Sequence, residues 1–280
     1  MVAPDRDLPV PPLPGTRVPN VARIYDYLLG GKDNFEADRA AAETLMRLIP
    51  DGVIACRENR KFMRRAVRYL AWQGIRQFVD IGTGLPTQGN VHEVALEAAP
   101  DARVVYVDYD PVVVTHARAL LAKPAAPAVA AISGDLRHPE LILHDPELRE
   151  LISFDQPFAV LATAVLHFIS DDEDPYAITR TLTAAMPPGS YLVISHITPD
   201  DIAADASRKA RAVYAHATAQ AHPRTREGIT QFFDGLEVAG PGVVSVSAWR
   251  PEPGGYKGRT LMYAGVARKA SPAGRSNDEP

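Results

Sequence analysis

Short apolar runs, each separated by about one helix-length of mixed sequence, dominate the middle of the chain. The runs 77–81 (QFVDI), 103–107 (RVVYV), 128–132 (AVAAI), 157–162 (PFAVLA) and 190–195 (SYLVIS) are short, apolar and mostly β-branched, as buried parallel strands are. Their starts lie 26, 25, 29 and 33 residues apart, enough for one crossover helix each. Helically spaced apolar positions fill the gaps, for example at 90–98 and 111–122. The pattern predicts an α/β fold with a doubly wound, mostly parallel sheet and a ligand at the carboxyl ends of its strands.

On either side the pattern changes. Residues 20–29 carry apolar positions at 21, 24, 25, 28 and 29, a helical spacing that Gly30-Gly31 stops. Residues 35–49 and 57–72 read as further helices. After the last run, 200–221 predicts a long helix and 225–235 a shorter one. Then 242–249 (GVVSVSAW) and 260–267 (TLMYAGVA) read as two strands joined by PEPGGYKG, a C-terminal antiparallel hairpin on a parallel sheet. Residues 1–19 hold six prolines and no apolar signal core, so they read as an extended arm. The expected organisation is a flexible arm (1–19), an N-terminal helical cap or lid (20–72), a sheet domain (73–268) and a flexible tail (269–280).

Composition narrows the function classes. Thirty Lys and Arg against thirty-four Asp and Glu give a net charge of −4, which argues against a strongly basic nucleic-acid binder. The basic segment RENRKFMRRAVR (57–68) reads as a solvated helix face packed on the sheet edge. Cys56 is the single cysteine, so no internal disulfide forms and no Cys/His cluster suggests a metal. The longest nearly apolar stretch, Phe158 to Ile169, is too short for a membrane span. With no export signal, the expected compartment is the cytoplasm.

Four segments carry chemistry. In FVDIGTGLPT (78–87), a strand ends at Asp80, and Gly82 and Gly84 let backbone approach a ligand closely. Thr87 stands where a dinucleotide fingerprint needs a third small residue, which argues against NAD(P). A carboxylate at Asp80 suits a cationic ammonium group. Asn90-Val-His-Glu93 has capping-box spacing, starting a helix near residue 90. In VVYVDYD (104–110), Asp108 follows the second strand and lies 24 residues after Gly84, a spacing that suits ribose hydroxyls; Asp110 reads as the cap before Pro111. In SGDLR (133–137), Gly134 permits a close turn and Asp135 can accept from an adenine amino group. In LATAVLHFI (161–169), Ala162 and Ala164 leave space at a strand end. His167 is either a packed core residue or a base.

The set DIGTG, YVDYD, GDL and TAVLH resembles the S-adenosylmethionine-dependent methyltransferases of the seven-stranded, Rossmann-like class. A closer resemblance covers nearly the whole chain. ARIYDYLLGGKDNFEADR (22–39), ENRKFMRRAVRYL (58–70), DIGTGLPT (80–87), VHEVA (91–95), VVYVDYDPVVVTHARALL (104–121) and FFDGLEVAGPGVVSVSAWRP (232–251) look like the methyltransferase family known as DUF574. The resemblance makes 73–268 the methyltransferase domain. It assigns Asp80, Gly82 and Gly84 to the methionine part of S-adenosylmethionine and Asp108, with Tyr109 beside it, to the ribose. Gly134, Asp135 and Leu136 fall to the adenine, and Ala162 to His167 to the sulfonium and acceptor side. The loop Leu-Pro-Thr-Gln-Gly-Asn after Gly84 departs from the class pattern, with Thr87 and Asn90 as its candidate contacts. Tyr25 and Asn34, flanking Gly30-Gly31, are expected in a lid over the cofactor cleft, with Tyr25 near the sulfonium.

The expected reaction is in-line methyl transfer to a small organic acceptor, with S-adenosylhomocysteine as product and no metal required. His167 is the first candidate base and His196 the second. The competing reading is a non-catalytic S-adenosylmethionine sensor or partner protein. Neither nucleic acid nor membrane is an expected partner, and the acceptor and oligomeric state are not legible.

Overall fold

The computed structural model describes residues 16–86, 89–121, 128–200, 202–258 and 260–271. Three helices come first: α1 (Val21–Leu29), α2 (Glu36–Leu48) and α3 (Gly52–Trp72). The alternating region follows as β1 (Gln77–Ile81), α4 (Val91–Ala98), β2 (Arg103–Asp108), α5 (Pro111–Leu121), β3 (Val129–Ser133), α6 (Pro139–Leu143), α7 (Pro146–Leu151), β4 (Ala159–Thr163), α8 (Pro175–Ala185) and β5 (Tyr191–Ile197). The chain closes with α9 (Ala204–Tyr214), α10 (Arg226–Gln231), β6 (Glu237–Val238), β7 (Val244–Ser245) and β8 (Met262–Arg268). Strand order is β3-β2-β1-β4-β5-β8-β6, with β7 pairing β8 off this path. Strands β1 to β5 are parallel and β8 runs antiparallel to β5. The expected doubly wound α/β architecture is therefore present, in eight strands rather than seven.

Alternation along the strands divides the core. Phe78, Val104 and Val193 face one layer with Phe62 and Trp249, while Val79, Val105 and Leu192 face the other with Phe158 and Phe233. The long helix α3 supplies the first layer through Phe62, Met63, Ala66, Val67 and Leu70, an i, i+3/i+4 stripe. Phe62 meets Trp249 edge-on at 5.4 Å between ring centroids. A third, smaller cluster joins α1, α2 and α9 through Ile24, Leu28, Ala42, Leu45 and Ala210.

Register places the ligand-facing ends together. Ile81 pairs with Val107, Asp108 with Ser133 and Thr163 with Ser195, so the carboxyl ends of β1 to β5 form one edge. Local chemistry fixes the helices that start there. The Glu93 carboxylate accepts from the Gly89 and Asn90 amides at the head of α4, and Asp110 accepts from the Val112 amide at the head of α5.

Three expectations need correction. The long helix over 200–221 is reduced to Ala204–Tyr214. Beyond Tyr214 the chain leaves the helix so that the Thr218 amide donates to Pro19 O and its hydroxyl accepts from the Val21 amide, tethering this segment to the start of α1. The strand over 242–249 shrinks to Val244–Ser245. The Ala248 amide closes a turn onto Ser245 O, and the fully buried residues there, Val246 and Trp249, are three apart, a spacing no strand uses for one face. Likewise 225–235 is helical only over Arg226–Gln231. Among the described residues no helix is long and apolar enough to cross a membrane.

Candidate active site

A cavity of about 260 Å³ opens at the carboxyl ends of the parallel strands. Of the residues expected at the site, Asp80, Gly82, Gly84, Asp108, Tyr109, Gly134, Asp135, Leu136, Ala164, His167 and Tyr25 all line it. Asn34, Asn90, Ala162 and His196 do not, and Thr87 lies outside the described residues.

The glycine turn is shaped for close approach. Gly82 has φ +70° and donates from its amide to Val107 O, and a Cβ there would sit 2.3 Å from Val165 Cγ2. Gly84, at φ +64°, donates to Asp108 Oδ2 at 3.0 Å, and Asp108 Oδ1 accepts from the Asp110 amide at 3.0 Å. Asp108 thus ties the first turn to the second while keeping lone-pair capacity for a ligand hydroxyl. Burial pushes its pKa up, while the Asp110, Gly84 and Tyr109 amides pull it back.

Asp80 is buried at the end of β1 and accepts from the Thr83 hydroxyl at 3.2 Å. Burial raises its pKa to about 6; the Arg60 charge and the Thr83 bond oppose this, and Asp108 adds to it. Two desolvated carboxylates at one cavity wall are costly in the empty protein and complementary to a guest carrying an ammonium and hydroxyls. That is the donor set a sulfonium nucleoside with an amino-acid tail presents.

The third acid behaves differently. Asp135 is held in a fork by Arg137, with Nε to Oδ1 at 2.9 Å and Nη2 to Oδ2 at 2.6 Å. Burial would raise its pKa, but the Arg137 bonds outweigh it and the net shift is downward. The Arg137 guanidinium also lies 5.9 Å from the centre of the half-exposed Tyr109 ring. Asp135 is therefore a paired carboxylate, able to accept only with the lone pairs Arg137 leaves.

Beyond β4 the chain strains to open the site. Ala164 adopts φ +57°, and its amide donates to Ser195 O at 3.0 Å. Leu166–Phe168 then makes a 3₁₀ turn carrying His167. His167 is buried at the cavity wall, and its Nδ1 is enclosed with no hydrogen-bond partner among the described residues, so Nε2 is the nitrogen left for a guest. Burial lowers its pKa well below the usual range, and His196, Arg224 and His222 lower it further, so the imidazole is neutral. His196 sits 5.4 Å away, ring to ring, with both nitrogens engaged. Its Nδ1–H donates to Ile197 O at 2.7 Å and its Nε2 accepts from Arg224 Nη1 at 3.1 Å. Burial drives its pKa to about 3. With no free lone pair and no place on the cavity wall, His196 anchors Arg224 rather than meeting a substrate.

The N-terminal helices close the cavity from the other side. The Tyr25 hydroxyl donates to Cys56 O at 3.2 Å and accepts from Asn59 Nδ2 at 3.0 Å. Its polar end is thus engaged within the cap, tying α1 to α3. Asn34 lies behind the wall, donating from Nδ2 to Asp26 Oδ2 at 2.9 Å and to Gly31 O. Asn20 reaches across, donating to Asp110 Oδ2 and so linking the start of α1 to the turn between β2 and α5. Sequence reading missed Arg60, whose charge acts on Asp80, Tyr25 and Tyr106 from α3. Nothing local marks Arg60 among the cations of RENRKFMRRAVR; the buried Glu58 and Asn59 beside it show that this turn of α3, read as a solvated face, is turned inward.

Comparisons with known proteins identify the family. Residues 14–270 match the model of the S-adenosyl methyltransferase family. A DUF574 family protein from Streptomyces avermitilis MA-4680 is 41% identical, with TM-score 0.86 over 91% of this chain and 98% of that one. A "putative methyltransferase" from Thermobifida fusca YX is 42% identical, with TM-score 0.84 over 93% and 99%. An O-methyltransferase family protein from Burkholderia thailandensis shares the fold at 16% identity and TM-score 0.52, over 79% of this chain and 58% of that one. A search of curated proteins finds no match. The family match spans the sheet, both glycine turns and the cap, so this chain belongs to the S-adenosyl methyltransferases and its cofactor is S-adenosylmethionine.

Proposed function

We propose that this methyltransferase acts on a small-molecule acceptor and that His167 takes the acceptor's proton. The observation that carries the reading is a neutral, buried imidazole in the same cavity as the desolvated pair Asp80 and Asp108. S-adenosylmethionine supplies an already activated methyl group on a sulfonium and leaves as S-adenosylhomocysteine. The chain's own task is then alignment, exclusion of water and proton removal.

In this reading Asp80 meets the ammonium of the methionine tail, with the Arg60 guanidinium beside it for the carboxylate. Asp108 accepts from the ribose hydroxyls, while Asp135 and Leu136 flank the adenine. The strained Ala164 and the turn after it border the reacting end. The Nε2 lone pair of His167 accepts a proton when Nδ1 carries the other one. Methyl transfer removes the sulfonium charge as the imidazole becomes charged, so the cavity keeps its total charge through the step.

The test compares His167→Gln with wild type, assayed for S-adenosylhomocysteine release with a turned-over acceptor. His167→Gln is expected to lower kcat by about 10²- to 10⁴-fold with S-adenosylhomocysteine affinity unchanged. Because the His167 pKa lies well below 6.5, wild-type kcat at saturating cofactor should stay level from pH 8 to pH 6.5. Full activity of His167→Gln across that range would remove His167 as the base.

A further inference from the structure

The cavity has two walls of different chemistry. The strand ends and glycine turns line one part with carboxylates and backbone amides. The helices line the other, with Leu28 of α1, Leu45 of α2, Ile49, Val53 of α3, Phe168 and Tyr214 of α9. We propose that this second part seats an uncharged, mostly hydrocarbon acceptor bearing one hydroxyl, held between α1, α2, α3 and α9 with the hydroxyl at His167. The inference rests on the methyl transfer through His167 proposed above and adds the class of molecule that receives the methyl.

The wall offers an ion little solvation. Its thiol and phenols stay un-ionised: burial pushes the Cys56 thiol up to about 12 and raises Tyr25 and Tyr214 as well. The Tyr25 hydroxyl is already donated to Cys56 O. Asp26, the carboxylate of α1 at this wall, is buried, and its Oδ2 accepts from the Asp33 amide at 3.0 Å and from Asn34 Nδ2 at 2.9 Å. Arg60, on α3, acts on Asp80 on the cofactor side and on Tyr25 at the border of this wall. Arg211, exposed on α9, is the charged residue that α9 contributes to the lining among the described residues. A carboxylate or ammonium entering here would lose its hydration with little in return, whereas a hydrocarbon body gains by leaving water.

The proton balance points the same way. The acceptor oxygen forms the new bond to the methyl carbon while the carbon–sulfur bond breaks and its electron pair stays on sulfur. The hydroxyl proton passes to Nε2 of His167. One positive charge enters with the cofactor and one remains on the imidazole, which then gives its proton to solvent as products leave. A protonated amine would put a second cation into the same apolar space, beside an imidazole that burial, with His196, Arg224 and His222, already holds neutral.

Calorimetry on the full chain tests this in two stages. S-adenosylhomocysteine is titrated first; absence of binding would overturn the cofactor reading and this inference with it. The saturated protein is then titrated with 1-naphthol and with 1-naphthoate, which share one hydrocarbon body and differ in charge. The expected result is that 1-naphthol binds at least tenfold tighter than 1-naphthoate. Val53→Asp and Ile49→Asp should each weaken 1-naphthol at least tenfold with S-adenosylhomocysteine affinity within threefold of wild type, which also reports that the variants fold. Equal or tighter binding of 1-naphthoate would assign Arg211 as an anion anchor and overturn the proposal, as would no 1-naphthol binding up to its solubility. Either result leaves the cofactor reading intact.

Discussion

Asp108→Ala is expected to weaken S-adenosylhomocysteine binding by about 100-fold or more, measured by calorimetry at pH 7.5. The loss has two sources. Asp108 offers a charged acceptor to ligand hydroxyls, and hydrogen bonds to charged groups contribute about 1.5–3 kcal/mol each. It also accepts from the Gly84 and Asp110 amides, so its removal loosens both turns that shape the cavity. Asp108→Asn separates the sources. An amide can still accept from one turn but carries no charge, so it should recover part of the geometry and little of the affinity. Binding by Asp108→Ala within threefold of wild type would place the nucleoside elsewhere.

Asp80→Asn should move binding and stability in opposite directions. The carboxylate is buried, with its pKa raised from the usual 3.8 to about 6. A carboxyl raised by folding costs nothing when pH is below its unfolded pKa. Its penalty grows between about 4 and 6 and is complete above 6. A shift of that size corresponds to about 3 kcal/mol against the cofactor-free protein at neutral pH. Asp80→Asn removes the penalty, so the cofactor-free variant should melt several degrees higher than wild type at pH 8 and at the same temperature at pH 4. The same variant should bind S-adenosylmethionine about 10- to 100-fold more weakly at pH 8. Wild-type affinity should itself fall as pH drops through 6 and the carboxylate protonates. A variant less stable than wild type at pH 8 would mean that Asp80 holds a structural bond rather than a ligand-facing charge.

The parallel sheet was legible because its signal is local. Five buried runs at crossover spacing follow from strand burial on both faces, and each acid that ends a strand is read from its position against a glycine. Asp80, Asp108 and Asp135 all meet at the cavity, and the resemblance pointed to the same cofactor. What the sequence hid depends on distant partners. The chain after Tyr214 departs from its helical pattern because Thr218 bonds to Pro19 and Val21. The segment around Trp249 departs from strand spacing because Val246 and Trp249 both turn into the core laid down by α3. Arg137 occupies Asp135 through a fork that two-residue spacing alone does not announce. His167 and His196 look equivalent in sequence, each near the end of a strand. Only the fold separates them, by filling both nitrogens of His196 and leaving one of His167 at the cavity.

The most direct measurement is a crystal structure of the protein with S-adenosylhomocysteine. The account predicts ribose hydroxyls within hydrogen-bond distance of Asp108, the amino group at Asp80, and the thioether sulfur turned toward Ala164 and His167, with the helix-walled space still open beyond it. A nucleoside lying in that helix-walled space, or a thioether turned away from His167, would contradict it.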